Sequence, residues 1–442
     1  MLLPTLLFMP RAPTLRCRST HILLKAAGES YKIIEDDEAT FAERYDGRLP
    51  SWLINRASTL GFTTPTAVQG DALDAVLDGH DAIVQAQTGS GKTLSYMLPL
   101  LALLEPKKSV QALVLLPTRE LASQVALVAR RLAAGSPDRF LVMALLDGSG
   151  AKRQRKWLRA EPPQVVIGNV EQVDAVLRAR LLRLETLRFL VVDEVDACLA
   201  DEATSSMLQR MLGGQLAIPL AQQQQELKAR GASSAVAQRQ TLFVSATLPQ
   251  RQHFRKQCEQ QRWCREAPVL IHTEPEHVLP AQLRHGWAPC AKQKRVAALR
   301  VLLRRHEPEL TGAIVFLKPG MPFQRIADAL AGIIDDQAPA LLTETQSLNA
   351  RAEAVRGLRE RSQRLLLATP LGARGLDIPH CSHVYLVGLP DSAEAYTHAA
   401  GRCGRMGQPG LVTVLAAEKE EFALQRLANA LQVSFFDARD GN

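Results

Sequence analysis

Lys92 and Thr93 close the run AQTGSGKT, which follows the strand-like DAIV and opens an apolar, helix-like stretch. In that setting small residues let backbone N–H groups turn inward around phosphates at the positive end of a helix. Gln87, Thr88, Gly89, Ser90 and Gly91 supply such a cradle. The Lys92 ammonium can reach the β- and γ-phosphates of a nucleotide, and the Thr93 hydroxyl can ligate Mg2+. Ala86 replaces the glycine that usually opens a loop of this kind. Further on, LRFLVVDEVD ends an apolar run in Asp193, Glu194 and Asp196. A carboxylate at a strand tip beside a phosphate loop holds Mg2+, directly or through water, and its neighbour orients the attacking water. Asp193 is the expected ion holder and Glu194 the expected general base. SAT, with Ser245 and Thr247, ends the next apolar run and is a weak signal alone. THAAGRCGR adds Arg402 and Arg405, three apart and each after a glycine. They are either fingers for a phosphate or part of a solvated basic loop.

These groups need rigid strands and helices to hold them. DAIVQA, QALVLLP, FLVMALL, QVVIG, LRFLVVD and QTLFVSAT are short, continuous and rich in Val, Leu and Ile. Such runs suit parallel strands buried on both faces. Between them lie helical patterns such as RELASQVALVARRLAAG, with Gly135 as its stop. The result is βαβ architecture. A second series, GAIVFLK, RLLLATP, HVYLVG and LVTVLA, repeats the alternation. REAPVLIHTEPEHVLPAQ, rich in Pro and charge, reads as the end of one domain and a linker into the next. The expected units are 48–272, a linker at 273–282, and 283–442.

The chain has 442 residues, 46% of them hydrophobic, and a net charge of +8. The charge favours a polyanionic partner. No apolar run reaches the ~20 residues of a membrane helix. Seven irregularly spaced cysteines without CxxC pairs suggest reduced thiols rather than a zinc site. Residues 1–28 hold Arg11, Arg16, Arg18 and Lys25 and no acid, which fits an organelle transit peptide or a disordered tail. The Gln-rich segment 222–240 reads as a surface insertion, and KRQRKWLR, 152–159, as a solvated helix face with Trp157 packed inward or an auxiliary contact to a nucleic-acid backbone.

The order of motifs resembles a DEAD-box RNA helicase over roughly residues 48 to 415, with DEVD in place of DEAD, and looks most similar to a plant chloroplast branch of that family. The resemblance implies two tandem RecA-like domains, each a mostly parallel sheet with helices on both faces. It implies ATP with Mg2+, and RNA bound through its backbone with little sequence preference. It also implies a monomer without a membrane anchor, in the chloroplast, with mitochondrion, cytosol or nucleus as alternatives. GFTTPTAVQ resembles the adenine-reading motif, with Phe62, Pro65, Thr66 and Gln69. An amide such as Gln69 can both donate to and accept from an adenine edge. ATPLGARGLDIP places Gly375 and Asp377 at the ATP site, with Arg402 and Arg405 completing it. PTREL (Pro117, Thr118, Arg119), DGSG (Gly148, Gly150), Asn169, Phe316 and Thr369 are the implied RNA contacts. Asp196, Ser245, Thr247 and His398 would couple the domains.

Four positions depart from the family pattern. NVEQ, 169–172, lacks an arginine usual there, and Leu348 stands for a glutamine three residues before the retained Arg351. Pro370 follows Thr369 where an aspartate is usual, removing a carboxylate and an N–H. Ala399 follows His398 where an arginine is usual. Each lost charge-assisted hydrogen bond is worth roughly 1.5–3 kcal/mol. The expected activity is RNA-stimulated ATP hydrolysis with local RNA unwinding; the alternative is an ATP-gated RNA clamp or chaperone with weak turnover.

Overall fold

ALVLL and the FLVV of FLVVD carry no polar side chain, so strands built from them are stable only with both faces covered. The computed structural model describes residues 39–86, 90–145, 151–218, 239–248, 251–273, 282–336, 338–343, 345–370, 372–373, 380–404 and 408–439, with residue 279 and the backbone of 21–24. Two sheets result. The first contains β2 (Ala82–Gln85), β3 (Ala112–Leu116), β4 (Val142–Leu145), β5 (Val165–Asn169), β6 (Phe189–Asp193), β7 (Gln240–Ser245) and β8 (Val269–Thr273). Its order is β8-β2-β7-β6-β3-β5-β4, all pairs parallel. The segment β1 (His21–Leu24), within the expected transit peptide or tail, pairs antiparallel with the outer edge of β8.

The second sheet contains β9 (Leu283–Pro289), β10 (Ala313–Phe316), β11 (Ala340–Leu342), β12 (Leu365–Ala368), β13 (His383–Val387), β14 (Gly410–Ala416) and β15 (Phe435–Asp437). Taken from its other edge, the order is β15-β9-β14-β13-β10-β12-β11, again all parallel. Strand by strand this is the order of the first sheet, so β9 corresponds to β2, β14 to β7 and β13 to β6.

The strand period of two divides each sheet's core into layers. Ala112, Val114 and Leu116 of β3 face one cluster, while Leu113 and Leu115 face the other. In the second sheet Ile314 and Phe316 face one cluster, and Ala313 and Val315 the opposite one. Helices cover both faces. Arg119–Ala133 is typical: Thr118 Oγ1 caps its start, and Leu121, Val125, Ala129 and Leu132 form the buried stripe.

The structure adds two strands to the sequence reading and corrects one expectation. VLIHT, read as the end of the first domain and the start of the linker, is β8, paired with β2 from Val269 to His272. SFFDARDGN, beyond the stretch that the family resemblance covers, supplies the edge strand β15. Trp157 is not packed inward but 52% exposed. The Gln-rich insertion lies outside the described residues, apart from the start of β7. The six described cysteines are free thiols, and no described helix is long and apolar enough to cross a membrane.

Candidate active site

β2 delivers Lys92 to the first turn of the helix Lys92–Ala102, where it is buried and its Nζ donates to Ala86 O at 2.8 Å. Burial lowers its pKa, the Glu194, Asp193 and Asp196 carboxylates oppose that shift, and Arg402 adds to it. Gly91 enters the helix at φ 88°, and a Cβ there would lie 2.1 Å from Gln69 Nε2, so only glycine fits. Gln69 is buried: its Oε1 accepts from Thr66 N at 3.0 Å, and its Nε2 donates to Gly91 O at 3.3 Å. Thr66 Oγ1 donates to Ser90 O at 2.9 Å. The adenine-reading motif therefore braces the phosphate loop. These two bonds use one N–H and one lone pair of the amide, which has a second of each. Phe62 lies partly exposed nearby in sequence, while Gln87, Thr88 and Gly89 lie outside the described residues.

β6 carries Asp193 to its end, and Glu194 then adopts φ 51°, a left-handed turn costly for a non-glycine residue. That turn lifts the Glu194 carboxylate out of the strand line. Asp193 Oδ1 accepts from Glu194 N at 2.9 Å and its Oδ2 from the Tyr96 hydroxyl at 2.8 Å. Burial, then the Glu194 charge, raises the Asp193 pKa, while Tyr96 and Lys92 pull it down. Tyr96 is itself fully buried, and burial and the Asp193 charge raise its own pKa. No motif flagged Tyr96; its place one turn after Lys92 on the buried face was the only available signal. Glu194 Oε2 is buried without a hydrogen-bond partner among the described residues. A carboxylate oxygen with nothing to accept, beside a carboxyl whose charge burial disfavours, is short of positive charge. This hard-oxygen donor set, with the Thr93 hydroxyl, fits Mg2+.

The second sheet closes the site. His398, on the helix Ala393–Ala400, brings Nε2 to 3.0 Å from Asp196 Oδ2, which also accepts from Thr247 Oγ1 at 2.5 Å. Ser245 Oγ donates to Thr247 O at 2.6 Å, so all four expected coupling residues converge. Arg402 is only 2% exposed, and its Nε donates to His398 O at 3.2 Å. Arg405, Gly375 and Asp377 lie outside the described residues. Beside His398 and Arg402 a cavity of about 500 Å³ separates the halves, with Pro370, Ala399, Phe316 and Leu389 in its lining. Two of the four departures thus sit on one void. Leu348 begins the helix Leu348–Arg359, but its side chain is outside the description.

Of the expected RNA contacts, Thr118 caps its helix and Arg119 NH2 reaches Glu171 at 3.4 Å. Pro117 is partly exposed, and Asn169 Oδ1 is buried with no hydrogen-bond partner among the described residues. Thr369 is buried, accepting from Gly372 N at 2.9 Å. Phe316 is buried in the second core rather than surface-borne. Gly148 and Gly150 lie outside the described residues. Glu120, missed in PTREL, meets Arg351 across the cleft at 2.9 Å, both nearly buried. The contact is an ion pair rather than an aligned hydrogen bond.

A phosphate loop and strand-tip carboxylates on one parallel sheet, met by a histidine and a buried arginine from a second, define a two-domain RecA-like phosphate-loop nucleotide hydrolase. The family model for DEAD/DEAH box helicases matches residues 66–254, and that for the helicase conserved C-terminal domain matches 297–407. The chain belongs to the DEAD-box helicase family. It is 36% identical over 412 residues to DEAD-box ATP-dependent RNA helicase 58, chloroplastic, of Oryza sativa subsp. japonica, covering 89% of this chain and 88% of that one. The protein of the same name from Arabidopsis thaliana is 33% identical, covering 93% and 89%. In fold it is similar to S. cerevisiae Dbp5 bound to RNA and ADP BeF3, with TM-score 0.73, 19% identity, and coverage of 91% and 96%.

Proposed function

We propose that the chain is an ATP-dependent RNA helicase that remodels RNA locally in the chloroplast. The observation that carries this reading is the convergence of His398 and Arg402 from the second sheet on Asp196 and Lys92 of the first. Lys92 and the loop hold the ATP phosphates, and Gln69 meets the adenine edge. Asp193 and Thr93 would hold Mg2+, which would neutralise charge on the phosphates. Glu194 takes the proton of the attacking water, and Arg402 and Arg405 face the charge that develops on the γ-phosphate. Thr118, Arg119, Asn169 and Thr369 contact the RNA backbone, and Asp377 with Gly375 completes the ATP site from the second domain. Two plant relatives named as chloroplastic support the location, as does the acid-free stretch 1–28. Glu194→Gln is expected to lower RNA-stimulated ATP turnover by about 100-fold or more, the usual worth of a positioned base. A wild-type rate that ignores both RNA and Mg2+ would sink the reading.

The cavity lined by Pro370 and Ala399 favours a second reading, a slow clamp that holds RNA while ATP is bound. An arginine restored alone at 399 would face a mostly apolar cavity whose lining carboxylates are Asp201 and Asp391. Ala399→Arg combined with Pro370→Asp supplies charge and countercharge together. If the loss slows the enzyme, the double variant gains about tenfold or more in turnover, the worth of one charge-assisted bond, and exceeds Ala399→Arg alone. Turnover equal to wild type in both variants would remove the loosened joint from the account.

A further inference from the structure

Because the two sheets share one strand order, the position after β9 is the counterpart of the phosphate loop after β2. There the chain runs Cys290-Ala291-Lys292-Gln293-Lys294 into the helix Arg295–His306, whose first turn has no side-chain cap. A cavity of about 1070 Å³ opens at this place, bounded also by the segments that follow β10, β13 and β14. We propose that this cavity is a second oligophosphate site, one that binds its ligand without hydrolysing it.

The charges support an anion. Lys292, Lys294 and Lys419 are exposed at the rim, and of the three only Lys419 acts on a carboxylate of the lining, that of Glu420. Arg295 is 9% exposed; one of its terminal nitrogens pairs with Glu420 at 2.5 Å, and its Nε is buried without a partner. Lys318 is engaged by Asp391 at 2.6 Å, and Glu418 is the remaining acid of the lining. No glycine lies between Pro289 and Arg295, so ammonium groups replace the inward backbone N–H groups of the first loop. Hydrolysis lacks its parts. Where β6 ends in Asp193 and Glu194, β13 runs into Gly388 and Leu389, leaving no carboxylate at that strand tip to hold an ion or activate water.

Inorganic tripolyphosphate titrated calorimetrically into the full chain tests this. Two sites are expected in the wild type, falling to one both in Lys92→Ala and in Lys292→Ala/Lys294→Ala. The exposed double substitution should leave the melting temperature unchanged. RNA of one sequence carrying a 5′-triphosphate or a 5′-hydroxyl distinguishes a free ligand from an RNA end. A site for RNA ends shows a preference for the triphosphate form that the double substitution lowers by about tenfold or more. A site for free oligophosphate binds tripolyphosphate with no such preference. One tripolyphosphate site in the wild type, or two that survive the double substitution, overturns the proposal. So does an equal loss of affinity for both RNAs in the double variant, which would mark Lys292 and Lys294 as ordinary backbone contacts.

Discussion

Removing one oxygen at Tyr96 tests how Asp193 is held. Tyr96→Phe deletes the 2.8 Å donor to Asp193 Oδ2 and leaves a buried carboxylate with one partner fewer, a loss of about 1–3 kcal/mol. Asp193 should then ionise less readily, so half-maximal ATP turnover should need severalfold more Mg2+. An unchanged Mg2+ titration would reduce Tyr96 to packing. Lys92, Asp193, Glu194 and His398 were legible in the sequence because each sits in a short string whose neighbours dictate its geometry. Tyr96 was not, since its partner lies 97 residues away. Phe316 shows the opposite limit. Its motif was legible, but its burial in the second core is a property of the assembled sheet.

Elements join the site at a second point, where the helix Arg119–Ala133 meets the helix Leu348–Arg359 through Glu120 and Arg351. Arg351→Ala leaves Glu120 a nearly buried charge without its partner in the closed form, but costs little once the halves separate. Couplings of this kind run about 1–3 kcal/mol. RNA affinity measured with a non-hydrolysable ATP analogue should fall about tenfold, with little change in its absence. Equal loss in both conditions would place Arg351 on the RNA instead. At this scale the central strands were legible, because β3 and the apolar part of β6 can only be two-sided core. β9, LRHGWAP, was hidden by Arg284, His285 and Gly286. β8 was hidden by the proline and charge on either side of it, and β15 is only three half-buried residues long.

The whole molecule should yield to acid from its second half. Burial lowers the pKa of His285 to about 4, and burial together with His306 does the same for His383. An unfolded histidine titrates near ~6.5, so between there and about 4 the unfolded chain binds more protons than the folded one. Stability fully present above about pH 6.5 is therefore lost as the pH falls towards 4. Trp287 is the only tryptophan after residue 263, so its emission reports that half. Its transition should precede that of a Trp287→Phe chain, whose remaining tryptophans lie in the first half. Coincident transitions would refute the order. Among the described residues the cleft is crossed at Asp196–His398, where Thr247 Oγ1 also lies 3.5 Å from His398 Nε2, and at Glu120–Arg351, and a cavity of about 500 Å³ lies beside the first. A joint that rests on polar contacts around a cavity has little apolar adhesion in reserve. If the closed form lasts only while both contacts hold, it serves as a short-lived timer whose dwell is set by the weaker fastening.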